Sequence, residues 1–250
     1  MTRRSRPGAR LLLLCGAVVW PAFGAPAAAQ TTMSSAALAI ACGPRAAYDL
    51  PDKPVTVSGS LTSAKGVYAP WHRLVVSAGS EDGLRPGQEF FVRRAVPPHD
   101  PPKKGEKLAY AIVTAGWIRI DDTQSKRSIA TIVHECDGIA PGDYLEPFAV
   151  PAVPTPLPDG APDFSEPAKV LFGTHRQLVA GGGSMVVIDR GTNHGIQPGQ
   201  RFTIYRASDA GPNVIFARGR ALAVQADTST IQLEQMRDAV LAGDSVAPHR

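Results

Sequence analysis

Gly191-Thr192-Asn193-His194-Gly195-Ile196-Gln197-Pro198-Gly199-Gln200-Arg201-Phe202 has a counterpart 112 residues earlier, Gly79-Ser80-Glu81-Asp82-Gly83-Leu84-Arg85-Pro86-Gly87-Gln88-Glu89-Phe90. Six of the twelve positions are identical, and Leu84 against Ile196 is conservative. The match runs outward in both directions: Leu74-Val75-Val76 faces Val186-Val187-Ile188, and Arg94 faces Arg206. A second block follows at an offset of 101, where Ser128, Asp137, Gly142, Asp143 and Pro147 face Ser229, Asp238, Gly243, Asp244 and Pro248. Two ordered blocks with a changed spacing are the mark of duplication followed by loop drift. The first copy carries eleven more residues between its blocks, part of them in the proline-rich, charged loop PPHDPPKKGEK at 97–107.

Turn chemistry accounts for the repeated residues. Gly83 and Gly195 close short polar runs where a positive φ is expected. Pro86-Gly87 and Pro198-Gly199 suit the centre of a type II turn, proline setting the first φ and glycine taking the positive second one. Gly79 and Gly191 open the block, and Gly142-Asp143 and Gly243-Asp244 mark a turn into a last strand. Between the turns, period two dominates. Phe202 and Ile204 alternate with Arg201 and Thr203, and Ile231 and Leu233 with Thr230 and Gln232, which reads as half-buried strands with one wet face. The one helix candidate is short, near residues 34–41.

The expected fold class is therefore all-β: two small, partly closed β-barrel modules in tandem. The first occupies 55–147 and the second 169–250. Residues 148–168 between them belong to a stretch, Pro147 to Pro167, with seven prolines. Such a run favours extended polyproline II and reads as a semi-rigid spacer holding the modules apart.

Residues 1–29 read as a signal peptide. Arg3, Arg4, Arg6 and Arg10 precede the apolar run from Leu11 to Val19, and Ala27-Ala28-Ala29 before Gln30 is an A-x-A cleavage site. The apolar run is too short for a spanning helix, so no transmembrane segment is expected in the mature chain. Cys15 follows three leucines, where a lipidation signal wants small residues. An N-terminal segment, 30–54, leads into the first module. Of 26 basic and 22 acidic residues, four basic and no acidic ones lie in the signal, leaving 22 of each. That balance, with only the short clusters Arg93-Arg94 and Lys103-Lys104, argues against nucleic-acid binding. The mature chain keeps Cys42 and Cys136. In an oxidising compartment they can pair, with two free thiols as the alternative. His134 is the one histidine at close spacing to either cysteine, which falls short of a metal shell, so no metal site is expected.

The pattern G-x-x-x-G-[LI]-x-P-G-Q-x-F, then S-T-I and V-x-x-G-D-x-V, is carried here by Gly191, Gly195, Ile196, Pro198, Gly199, Phe202, Ser229, Ile231, Gly243, Asp244 and Val246. It resembles the C-terminal domain of flagellar assembly protein T and similar C-terminal modules of bacterial envelope proteins with a LysM domain. The resemblance covers roughly 170–248 and, less well, 70–147. It implies a small β-barrel in a periplasmic protein and carries no catalytic residue.

Enzymatic signals are weak. His72, His99, His134, His175, His194 and His249 are scattered, and neither H-E-x-x-H nor G-x-S-x-G occurs. Gly181-Gly182-Gly183-Ser184 lacks the lysine of a phosphate loop, and Asp121-Asp122 and Glu135/Asp137 read as strand-end polarity. No catalytic residue and no cofactor is expected. The expected role is non-catalytic binding or assembly in the periplasm, with an envelope protein or peptidoglycan as partner. The alternative is a carbohydrate or small-ligand carrier, for which Trp71, Trp117, Tyr110 or Tyr205 would offer stacking faces if they are not core. A third reading is a flagellar or secretion-apparatus accessory.

Overall fold

A computed structural model describes residues 33–63, 66, 68–98, 107, 109–208 and 211–250. The expected signal peptide at 1–29 with its Ala29/Gln30 cleavage site, and most of the 97–107 loop, lie outside the described residues. The described residues open with the helix α1 (Ser35–Cys42), capped by Ser34, whose hydroxyl accepts the Ala37 N–H at 3.2 Å. Seven strands follow: β1 (Arg45–Ala47), β2 (Val57–Ser60), β3 (Arg73–Val76), β4 (Glu89–Val96), β5 (Tyr110–Thr123), β6 (Ser128–Glu135) and β7 (Tyr144–Pro147). Eight more complete it: β8 (Ala168–Gly173), β9 (Val179–Ala180), β10 (Met185–Ile188), β11 (Arg201–Arg206), β12 (Val214–Val224), β13 (Ser229–Met236), β14 (Val240–Leu241) and β15 (Ser245–Pro248). No helix among the described residues is long and apolar enough to cross a membrane.

The later strands close into a six-stranded antiparallel barrel in the order β10-β13-β12-β11-β15-β8, while β9 and β14 pair separately. Ile188, Phe202, Ile204, Ile231 and Val246 are fully buried inside it. Phe202, Ile204 and Ile231 are the apolar positions of the expected alternation, but Thr203, expected on the wet face, is buried too and bonded to His249. The earlier strands run β2-β3-β6-β5-β4-β7 in a seven-stranded sheet whose seventh member, β1, joins β5. The ladder stops short of continuous closure. Even so, its ends meet: Val57 N–H donates to the Asp143 carbonyl and Leu145 N–H to the Val55 carbonyl, both at 2.8 Å. Leu74, Val76, Ile118, Ile120 and Ile139 fill this sheet's core.

The block around Gly79 and Gly191 builds the same hydrogen bonds in both places. Ser80 and Glu81 N–H donate to the carbonyls of Gln124 and Ser125, and Thr192 and Asn193 N–H to those of Gln225 and Ala226. A Cβ at Gly79 would collide with the Gln124 carbonyl, and one at Gly191 with that of Gln225. Glycine is needed there for close approach of two backbones, whereas Gly83 and Gly195 are needed for left-handed φ values of 85° and 75°.

The proline-rich stretch does not space the modules apart. It lies along the closed barrel. Leu157 N–H donates to the Gly199 carbonyl at 3.0 Å, Ala161 and Arg250 exchange backbone bonds, and Asp163 N–H reaches the Pro248 carbonyl at 2.8 Å. Asp159 pairs with Arg201 and Arg220. His249 bridges Thr203 Oγ1 and the Gly160 carbonyl, each at 2.8 Å. Proline removes donors from the run, but the residues between the prolines keep theirs, and those reach Gly199 and residues 248–250, past the point where β8 stops pairing with β15. Residues 33–250 form one compact unit.

Gly191→Ala is expected to cost more than about 1 kcal/mol, and to lower Tm by at least roughly 3 °C, because backbone must move. Gly182→Ala, where an added Cβ meets nothing within 4 Å and φ is not positive, is expected to be neutral or slightly stabilising. Thermal melts of the two variants test the distinction.

Candidate functional site

β5 is fourteen residues long, but β6 pairs with it only from Gly116 onward. Past that point Cys136 and Asp137 N–H both donate to the Ala115 carbonyl and the chain turns away. The exposed edge at Tyr110–Ile112 is taken by β1, in register Arg45↔Ile112 and Ala47↔Tyr110. Cys42, just ahead of β1, lies at disulfide distance from Cys136, with Cα atoms 5.6 Å apart. The other side of β1 faces the second barrel. Its segment offers the Pro44 and Ala46 carbonyls to the hydroxyls of Thr230 (2.7 Å) and Thr228 (2.9 Å). Both threonines are buried, so Thr230 does not lie on the wet face that strand alternation predicted. The N-terminal segment covers it.

Two cavities flank this segment. The first, about 480 Å³, is lined by Arg45, Tyr48, Tyr144, Glu146 and Asp227, drawn from the N-terminal segment and both modules. Glu146 accepts from Arg45 at 3.3 Å and from Arg93 Nε at 3.1 Å. Arg93 is almost wholly buried, donates also to Thr114 Oγ1, and lies over the Phe91 ring at 4.2 Å. Burial and the neighbouring Arg45 charge pull its pKa down to about 10, while Glu146 works the other way, so it stays cationic at neutral pH. Burial, then Asp189 and Asp227, raises the Tyr48 phenol; burial and Glu146 raise Tyr144. Both phenols therefore remain hydrogen-bond donors. Convergent donors, carboxylates and two aromatic faces in a cleft of this size fit a polar ligand.

The second cavity, also about 480 Å³, is lined by the Cys42–Cys136 pair, Arg94, Thr114, Phe172 and Arg176. His175 and Arg176 both adopt left-handed φ, 53° and 62°, and Arg176 donates to the Pro97 carbonyl of the first module at 3.4 Å. On the outer side of the pair, Cys42, Cys136 and His134 place their donor atoms within 4.8 Å of one another. The closeness of His134 to Cys136 was visible in the sequence but fell short of a metal shell; what spacing did not show is that Cys42 comes within reach of both.

The remaining repeat residues serve structure. Gly87, Gly142, Gly199 and Gly243 adopt φ between 81° and 90°, and Pro86 and Pro198 precede two of them. Asp143 accepts a two-pronged bond from Arg94 (2.7 Å to each oxygen) and Asp244 one from Arg206 (2.9 and 3.0 Å). In each fork the arginine also reaches a carbonyl, of Gly138 or Ala239, and the aspartate accepts the N–H of Ala140 or Leu241. The hydrogen bond to Asp244 holds the Arg206 pKa above its ordinary value, and that to Asp143 does the same for Arg94. Recurrence of Arg94/Arg206 and Asp143/Asp244 was the signal that could have paired them. His194 and Asp82 are equivalent caps: Nδ1 and Oδ2 accept the N–H of Gly191 (3.2 Å) and Gly79 (2.9 Å). Of the aromatic candidates, Trp117 and Tyr205 are buried, Tyr205 against Phe164 of the proline-rich stretch, whereas Trp71 is 77% exposed.

Neither a protein-family model nor a curated protein matches the chain.

Asp143→Ala is expected to cost about 2–3 kcal/mol. It strands a partly exposed guanidinium and a backbone N–H, which is milder than stranding a fully buried charge. Asp238→Ala removes an exposed partner of Arg206 and an exposed acceptor of the Ala239 N–H, and should leave the denaturation midpoint nearly unchanged. Reducing the cystine frees a loop spanning 94 residues. In the chain-entropy account that costs about 4–5 kcal/mol, a fall of roughly 10 °C or more in Tm. Denaturant titration and calorimetry measure all three.

Proposed function

We propose that the chain is an exported, non-catalytic protein of the bacterial periplasm that binds or assembles with an envelope component through the cleft between its two modules. The observation that carries this reading is the first cavity. Arg45, Tyr48, Tyr144, Glu146 and Asp227 converge there from three separated segments, and β1 ties those segments together. A cystine is compatible with an oxidising compartment. The matched strand order and the paired Arg–Asp forks support reading the modules as two duplicated barrels, the second closed and the first nearly so. That reading agrees with the resemblance to flagellar assembly protein T, whose barrel is periplasmic. In both modules the block residues are occupied in turns, so recognition falls to the junction.

A carbohydrate-carrier reading is favoured by one observation, the exposed indole of Trp71 beside His72. An exposed aromatic face suits sugar stacking.

The test uses sedimentation with purified cell wall and crosslinking capture from a periplasmic extract. The native chain should be retained by one of the two, and Tyr48→Ala/Tyr144→Ala should lose at least about tenfold in retention while melting normally. Recovery of neither wall nor envelope protein overturns the proposal. A change in tryptophan emission across a glycan panel, abolished by Trp71→Ala, would instead establish the carrier.

A further inference from the structure

We propose that Cys42, Cys136 and His134 form a binding site for a zinc-like divalent cation when the cystine is reduced. This site is independent of whatever occupies the junction cleft. Two sulfurs and an imidazole nitrogen already lie within 4.8 Å of one another. A tetrahedral zinc shell, with Zn–S about 2.3 Å and Zn–N about 2.0 Å, spaces its donors roughly 3.5–3.8 Å apart. Once the S–S bond is broken, side-chain rotation alone can reach that spacing, because the two Cα atoms stand 5.6 Å apart on backbone that is held independently of the bond. Cys42 ends α1, anchored through the Thr114 hydroxyl on the Ala41 carbonyl at 2.9 Å. Cys136 is fixed by its N–H on the Ala115 carbonyl.

The third donor is pre-oriented. His134 sits opposite Trp117 in the β5–β6 register, and the two rings stack at 4.4 Å with 23° between their planes. The indole in turn packs edge-on to Phe91 at 6.0 Å. An imidazole held this way does not have to be ordered by the ion, as a supported ligand shell requires. Cations that prefer nitrogen and sulfur donors fit; magnesium and calcium, which want oxygen, do not. Both cysteines line the cavity containing Thr114 and Phe172, and they also line a third cavity of about 650 Å³ with Gly43, Ser184 and Met185. Three protein donors leave a fourth position for water.

The chemistry balances through a dithiol reductant. Two electrons and two protons pass to the cystine, the S–S bond breaks, two thiols form, and the reductant leaves as its own disulfide. The cation then displaces the two thiol protons and binds both thiolates. Oxidised chain has no thiolate to offer. The redox state of this one pair thus decides whether the chain carries a cation.

The experiment titrates the full chain, oxidised and phosphine-reduced, with Co²⁺ and then Zn²⁺. Reduced chain should develop a thiolate-to-cobalt charge-transfer band in the near ultraviolet that saturates at one ion per chain and is lost on adding Zn²⁺; oxidised chain should not. His134→Ala should weaken Co²⁺ binding at least about tenfold, as should His134→Gln, whose planar amide can still stack on Trp117. At a hundredfold excess over Kd, Zn²⁺ should raise the Tm of the reduced chain by roughly 5 °C or more, and should do so less in either variant. A folded reduced chain without the band overturns the proposal. So does an affinity unchanged in both His134 variants, or a reduced chain that unfolds and is not restored by Zn²⁺.

Discussion

An unpaired strand edge governs how this molecule is put together. β5 outruns β6 by several residues, and its N–H and C=O groups at Tyr110–Ile112 need partners. β1 supplies them, and that single pairing has three consequences. It brings Cys42 beside Cys136. It turns the Pro44 and Ala46 carbonyls toward Thr230 and Thr228 of the second barrel. It also places Arg45 beside Glu146 in the wall of the junction cavity, with the buried Arg93 bonded to the same carboxylate. Without the overhang β1 would have no seat, and the first cavity would lose the wall that Arg45 and Tyr48 supply.

Within each module the recurring constraint is the approach of the block loop to the β5–β6 or β12–β13 turn. Gly79 and Gly191 let backbone lie against backbone, and the residues after them donate into that turn. The cap three residues on must accept one N–H. A carboxylate oxygen and an imidazole nitrogen serve equally well, which is why Asp82 and His194 occupy matching positions without sharing a charge. The Arg–Asp forks show the opposite tolerance. Their bidentate geometry, extra carbonyl contact and aspartate-to-backbone bond need both residue types together. The loops between these fixed points differ freely between the modules, as exposed connections can.

Strand positions, turns and the repeated blocks were legible in the amino-acid sequence because they rest on short-range causes. Ile231 and Leu233 alternate with polar neighbours because strand side chains alternate in direction, and Gly83 and Gly195 mark left-handed turns because other residues are strained there. The pairing of Cys42 with Cys136 was readable for a similar reason, since the chain has only one cysteine besides them, Cys15, and that lies in the expected signal. Only the tertiary structure decided the rest. That Thr230 is covered, that residues 155–163 dock on the closed barrel, that Tyr205 is buried beneath Phe164, and that Cys42 comes within reach of His134 are contacts between segments distant in the chain. No periodicity encodes them. They follow from which edge was left unpaired and which backbone donors remained between the prolines, and those quantities exist only once the sheets have formed.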